Sequence, residues 1–591
     1  MADKKKKEVI LLKGIGVSPG ITIGRAYLLE RGMYEPDYFC YLDPSDSEKE
    51  VARFERALAV SKEQLERIRD KMVSEGRGAE HIGIIDAHLM ILQDQMLTND
   101  TVRVIKEERV NAEWALKKVL AGLKDFFSRM DDEYFKERIF DIEHIVNRLI
   151  MNLMGRKHES ISDLREPFIV VAHDISPTDT AQMKKDLVLG FLTEVGGRTS
   201  HSAIMSRALE IPAVVGLDAI TRRVETGDIV IVDGTTGTVI INPSTSVIAV
   251  YKKRKERYEN YGRSLFLYKD MPSETSDGRR VGLMGNMEII DELDSLREHG
   301  AEGIGLYRTE FLYLNRDDLP TEDEHVAAYH EVIEKMAPHP VIIRTLDVGG
   351  DKLASHMDHP EEPNPAMGLR AIRYCLKNLD VFKTQLRGIL RASTAGKVKV
   401  MFPMISGMDE VRRAKKLLEE AKEELASEGR PFDPDIEVGV MIEIPSAAII
   451  ADLIVREVDF ISIGTNDLLQ YALAIDRVNE HVAYLYEPFH PAVIRMIKSV
   501  IEAANDAGIS VGVCGEMAGE PEYAFILLGF GVTTLSMNAF SILKVKSLLR
   551  SVSYAEAREV CEKIVDLDTA SSVESYISSK LPELYKGELW S

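Results

Sequence analysis

Cysteine is scarce in this chain. Four occur in 591 residues, Cys40, Cys375, Cys514 and Cys561, and no two stand at C-x-x-C spacing. That excludes a disulfide framework and a simple zinc knuckle, and it fits a reducing compartment. Basic charge is also short. Seventy-four Lys and Arg stand against 96 Asp and Glu, for a net charge of -22. Such a chain lacks the basic face that general nucleic-acid binding needs. No apolar run is long enough to span a bilayer. The basic start, Met1 to Lys7, is not followed by the apolar core and cleavage site of a signal peptide. A cytoplasmic protein is expected.

What is present is ordinary for a soluble globular protein: 45% hydrophobic and 29% charged residues, over a length that calls for several domains. Short apolar runs with glycine turns in residues 1–31 and 160–243 read as the strands of one α/β domain. Between them, residues 35–155 change period. Val51, Phe54, Leu58, Leu65 and Ile68 open a helical spacing that recurs through Leu116, Leu120, Leu123 and Phe127, and again through Ile142, Val146, Leu149 and Leu153. This predicts about four helices inserted as a subdomain. Residues 245–270 read as a charged linker helix with a possible hinge. From 275 to 552 strand and helix alternate eight times, which predicts a (β/α)8 TIM barrel. Its first and last strands are expected at Val281–Met284 and Thr533–Ser536. Residues 553–591 carry Val560, Ile564, Val573, Tyr576 and Ile577 at helical spacing, a helical appendage packed on the barrel or on a partner.

Two stretches carry chemistry. In Gly196-Gly197-Arg198-Thr199-Ser200-His201 a glycine turn and two N-cap hydroxyls precede a helical pattern. His201 then sits in a first helical turn, where free N–H groups and the dipole favour phosphate. A lone histidine there is usually idle; the glycines, hydroxyls and flanking arginines favour a functional one. The second stretch is the set of strand ends in the barrel, where such folds place their chemistry. Arg308, Arg344, Arg370, Glu443, Asn466, Asp467, Arg477 and Cys514 all fall at or after strand ends. Arginines clamp phosphate and carboxylate oxygens. Two carboxylates suit Mg²⁺ with a substrate phosphate completing its shell. A thiol can act as acid or base. For one arginine a rim salt bridge is a fair reading; for five strand ends in register it is not. The implied ligand is a small molecule with a phosphate and a carboxylate.

The runs Gly196 to Arg207, Gly305 to Leu312, Arg344 to Lys352, Ser462 to Tyr471 and Cys514 to Gly519 together resemble Enzyme I of the bacterial phosphotransferase system, over nearly the whole chain and in the same domain order. The resemblance implies that phosphoenolpyruvate phosphorylates His201 at Nε2 and that the Thr180 hydroxyl orients the imidazole. It implies that Arg308, Arg344 and Arg477, with Arg370 nearby, bind the substrate phosphate, and that Asn466 helps hold the substrate. Glu443 and Asp467 match Mg²⁺ ligands, and Cys514 matches the thiol that protonates the enolate carbon. The helical insertion matches the docking surface for the phosphocarrier HPr, and family members form homodimers through the barrel. After Glu443 the chain reads Ile444-Pro445-Ser446-Ala447, a departure that leaves the metal ligand in place.

Two rivals are weaker. A pyruvate phosphate dikinase or phosphoenolpyruvate synthase adds an ATP-grasp domain ahead of the histidine, whereas the residues preceding His201 here are largely helical with no nucleotide-binding pattern. A catalytically silent docking protein would be expected to lose the arginines or the metal carboxylates, and all are present.

Overall fold

A computed structural model describes residues 9–29, 40–43, 46–74, 85–86, 88–128, 133–155, 165–175, 185–197, 201–313, 318–348, 364–476 and 481–585. The chain divides into two compact units, residues 1–260 and 261–590.

The first unit holds an eight-stranded sheet. Its strands are β1 Ile10–Lys13, β2 Ile15–Ser18, β3 Ile21–Leu28, β4 Phe168–Ala172, β5 Val188–Thr193, β6 Ala213–Val215, β7 Ile229–Asp233 and β8 Thr238–Ile241, in the order β1-β8-β7-β3-β4-β5-β6-β2. The run β3-β4-β5-β6 is parallel, and the flanking pairs are antiparallel. Successive side chains point to opposite faces, so Val170 and Ala172 enter one apolar cluster and Ile169 and Val171 the other. The helix His201–Ala208 seals the first face through the fully buried Ala203. Between β3 and β4 lie the helices Ser47–Ser74, Gln95–Glu108, Ala112–Ser128 and Glu133–Leu153. They bury their own core around Phe54, Leu65, Ile105, Leu116 and Leu149. The predicted helical insertion in an α/β domain is thus observed.

The second unit is the expected barrel. Strands β9 Gly282–Met287, β10 Ile304–Tyr307, β11 Val341–Arg344, β12 Val398–Phe402, β13 Glu437–Ile442, β14 Phe460–Ile463, β15 Ser510–Val513 and β16 Thr534–Met537 close in sequence order, and every pair is parallel. Helices cover the outside and side chains fill the inside, so these strands are buried on both faces and read as short apolar runs. Strand β9 continues past the expected Met284 through Gly285 and Asn286. Both are poor strand formers in isolation. Asn286 is tolerated inside because its side chain accepts from Ser536 Oγ at 2.6 Å and donates to the Cys514 carbonyl at 2.9 Å.

The helix Thr245–Phe266 runs across the division between the units, and Arg254 ties its first half to the buried Asp233 at 3.1 Å. At the other end, helices Tyr554–Ile564 and Ala570–Leu584 bury Val560, Ile564, Val573, Ile577 and Leu581 in the same core as the barrel. They pack on the helix Pro521–Phe530, in which every residue from Ala524 to Phe530 is buried. The tail therefore packs on the barrel.

Candidate active site

In the first unit, β5 ends at Thr193 and the chain turns at Gly196, whose φ of 116° favours glycine. His201 is then the first residue of its helix, as its sequence position suggests. The base of the turn is held by Glu194, which sequence reasoning did not single out. Glu194 accepts from the Thr221 N–H at 2.9 Å and meets His173 Nδ1 at 2.7 Å. Burial alone would raise the Glu194 pKa, but the bonds from His173 and Thr221 outweigh it and hold it below the usual carboxylate range. Thr180, Thr199 and Ser200 lie outside the described residues.

In the second unit the C-terminal ends of the barrel strands bring most of the expected residues together. Arg344, at the end of β11, is almost fully buried. Its Nη2 donates to Glu310 at 2.6 Å, and its Nη1 lies 2.8 Å from Asp347. Asp347 also receives Arg370 Nη2 at 2.8 Å, and the same Arg370 nitrogen lies 3.6 Å from Asp467. Arg308 follows β10 and pairs with Glu288. Asn466 sits in the first turn of the helix Thr465–Leu473, where its Oδ1 accepts the Glu516 N–H at 2.9 Å. Arg477 lies outside the described residues.

Glu443 follows β13 and is 2% exposed. Its Oε1 accepts the Met404 N–H at 2.5 Å. Burial, then the charges of Asp347 and Asp467, push its carboxyl up to about 8, against the opposing effect of Arg344. Oxygens of Asp347, Glu443 and Asp467 all lie within 4.8 Å of one another. Asp347 is the member of this trio for which the sequence suggested no role; only the closed barrel brings its strand end beside the other two. With every group ionised, Arg308, Arg344 and Arg370 face Glu288, Glu310, Asp347, Glu443 and Asp467, an excess of two negative charges. A hard divalent cation on three carboxylate oxygens would balance that excess, so the donor set fits Mg²⁺.

Cys514 follows β15 and is 3% exposed. Its Sγ donates to the Ile463 carbonyl at 3.7 Å. Burial raises its pKa and a hydrogen bond from Ser462 partly opposes the shift, so the group is a protonated thiol at neutral pH. The site thus has cationic clamps, a carboxylate trio and an acid.

The charge excess gives a stability prediction. Below the ordinary carboxylate range Glu443 is protonated in both folded and unfolded chains. As pH rises from there to about 8, only the unfolded chain ionises freely, so the metal-free protein loses stability across that window. Glu443→Gln keeps an acceptor for Met404 and removes the titration. At pH 8 with chelator it is expected to be more stable than the parent by about 1–3 kcal/mol. The advantage should vanish at pH 4.5 and shrink with added Mg²⁺, as read by thermal unfolding.

Three family descriptions match the chain: a PEP-utilising enzyme N-terminal region over residues 13–138, a PEP-utilising mobile domain over 164–237 and a PEP-utilising, PEP-binding domain over 264–554. The phosphoenolpyruvate-protein phosphotransferase of Staphylococcus carnosus is 47% identical over 95% of this chain and 97% of its own length. That of Bacillus subtilis is 47% identical over 96% and 99%. The solution structure of an Enzyme I protein, nEIt, is 45% identical, covers 42% of this chain and 99% of its own, and has a TM-score of 0.35. By identity over nearly its whole length, this chain belongs to the Enzyme I family of phosphoenolpyruvate–protein phosphotransferases.

Proposed function

We propose that this chain takes the phosphoryl group of phosphoenolpyruvate onto His201 and passes it to the phosphocarrier HPr, as the first step of sugar uptake. The carrying observation is the barrel mouth, where Arg344 and the Asp347–Glu443–Asp467 trio stand beside the Cys514 thiol. The substrate phosphate meets Arg308 and Arg344, with Arg370 and Arg477 completing the clamp and Asn466 holding the substrate. Among the described residues the buried Arg344 Nε has no partner, which leaves a donor for an anionic oxygen. Glu443 and Asp467, joined by Asp347, would hold Mg²⁺, which when bound neutralises charge on the phosphate.

His201 Nε2 attacks phosphorus, with the Thr180 hydroxyl orienting the ring, and the bond from phosphorus to the enolate oxygen breaks. Cys514 gives its proton to the enolate carbon, leaving pyruvate. His201 lies in one compact unit and the clamp in the other. The relay therefore requires the histidine domain to meet the barrel and then HPr, with residues 245–270 as hinge and the helical insertion 35–155 as the HPr dock. The barrel, with Ile449 and Leu453 exposed, is the homodimerising unit. The relay is placed in the cytoplasm. Among the described residues no helix is long and apolar enough to cross a membrane.

Incubation with labelled phosphoenolpyruvate and Mg²⁺, then peptide mapping, tests this reading. Acid-labile phosphate on the His201 peptide is expected; phosphate elsewhere, or none, contradicts it. Arg344→Lys is a finer test. A lysine cannot keep the fork that engages Glu310 and Asp347. Its kcat/KM is expected to fall roughly 100-fold. Unchanged kinetics would remove Arg344 from the clamp.

A further inference from the structure

Strand β15 and the residue after it carry Ser510, Gly512 and Cys514 at alternate positions, one face of the strand. Ser510 is exposed at the N-terminal end of the barrel, whereas Gly512 and Cys514 are buried. Cys514 shares an interior apolar cluster with Leu306, Ile342, Met401, Met441 and Phe460. Below it lies a cavity of about 390 Å³, open space at its mouth included, where the hydroxyls of Ser462, Ser510, Thr534 and Ser536 stand among apolar neighbours such as Ile342 and Phe460. Barrel interiors are usually packed with branched aliphatic side chains. Here two glycines prevent that. A Cβ on Gly512 would stand 2.6 Å from Thr534 Oγ1, and one on Gly305 would stand 2.5 Å from Ser536 Oγ. Ser462 and Ser536 are each 4% exposed, and Ser536 Oγ is already engaged by the Gly285 carbonyl at 3.0 Å and Asn286 Oδ1 at 2.6 Å. Ser462 lines this cavity and pairs with Gly512 in the β14–β15 register, two residues before Cys514 on the same face of β15, and its hydroxyl opposes the upward pKa shift of the thiol.

We propose that the hydroxyls in this cavity are the path by which Cys514 recovers its proton, drawn from solvent on the barrel face opposite the substrate. The inference rests on the reading of Cys514 as the acid of the reaction. Once Cys514 has protonated the enolate carbon, its upper side faces pyruvate and its sulfur is a buried thiolate. Reprotonation from above would wait for product release; from below it does not. The Ser462 hydroxyl gives its proton to the sulfur and takes one from a water in the cavity. That water is restored by a proton entering at Ser510. One solvent proton enters per turnover, and nothing is oxidised or reduced. Ser462 is a relay residue, because it acts on the substrate only through Cys514.

The test is rapid-quench measurement of pyruvate formation with Mg²⁺, and with purified HPr as acceptor for later turnovers. The parent chain is compared with Ser462→Ala, Thr534→Val and Cys514→Ala. In Thr534→Val Cys514 starts protonated with Ser462 still beside it, so the first turnover and the KM are expected to match the parent; in Ser462→Ala later turnovers are expected to slow more than the first. Later turnovers are expected to slow roughly tenfold or more and to recover in imidazole buffer, a small proton donor. Steady-state rates at the parental level, with Cys514→Ala slow in its first turnover, would overturn the relay alone. First and later turnovers slowed equally, without buffer rescue, would overturn it as well, leaving Ser462 a packing role. A Cys514→Ala chain with a parental first turnover would overturn the acid assignment and the relay together.

Discussion

His201→Ala is expected to gain no acid-labile phosphate from labelled phosphoenolpyruvate and Mg²⁺ while remaining folded. The helix His201–Ala208 is held to the sheet by the fully buried Ala203, which the substitution leaves in place. The barrel lies in the other compact unit and keeps its arginines and carboxylates. Binding of phosphoenolpyruvate by His201→Ala should therefore match the parent, measured by calorimetry. A variant that still incorporates phosphate would place the acceptor elsewhere. A variant that also loses substrate binding would make the histidine part of the clamp.

Cys514→Ala is expected to separate binding from chemistry. The thiol is buried among apolar side chains and its pKa is raised by that burial, so it holds its proton until a strong base appears beside it. The enolate is such a base. Removing a positioned general acid typically costs 10²–10⁴-fold. Forward transfer should fall by about that much, with the dissociation constant for phosphoenolpyruvate nearly unchanged. Cysteine to alanine leaves only a small gap, so thermal unfolding should shift little. Loss of binding with the loss of rate would assign Cys514 a structural role.

The architecture was legible because its signals are local. Strands such as β13 Glu437–Ile442, apolar from Val438 on, and β14 Phe460–Ile463 are short apolar runs, since both faces of a covered barrel are buried. The helices of the insertion showed their periodic apolar face. What escaped the sequence depends on closure of the barrel. Asp347 lies near Glu443 and Asp467 only because strands far apart in sequence bring their ends to one mouth. Glu288 and Glu310 gave no sign that they engage Arg308 and Arg344. The apolar run of strand β9 ends at Met284 in the sequence, whereas the strand continues through Asn286, whose side chain Ser536 and the Cys514 carbonyl satisfy.

The tail shows the same boundary between local and distant information. Val560, Ile564, Val573 and Ile577 announce helices. Whether they meet the barrel or another molecule turns on the helix Pro521–Phe530, whose run from Ala524 to Phe530 is apolar on every side and gives no single face to match. At His201, by contrast, the glycines and the helical pattern are adjacent in sequence, and residues 201–208 are helical.

The relay from phosphoenolpyruvate through His201 to a partner is tested most directly by incubating the purified chain with labelled phosphoenolpyruvate, Mg²⁺ and purified HPr. Label is expected first on the chain and then on HPr, with one pyruvate released per phosphate transferred and no label on HPr when His201→Ala replaces the parent. A chain that releases pyruvate but leaves HPr unlabelled, or that labels HPr without His201, would contradict it.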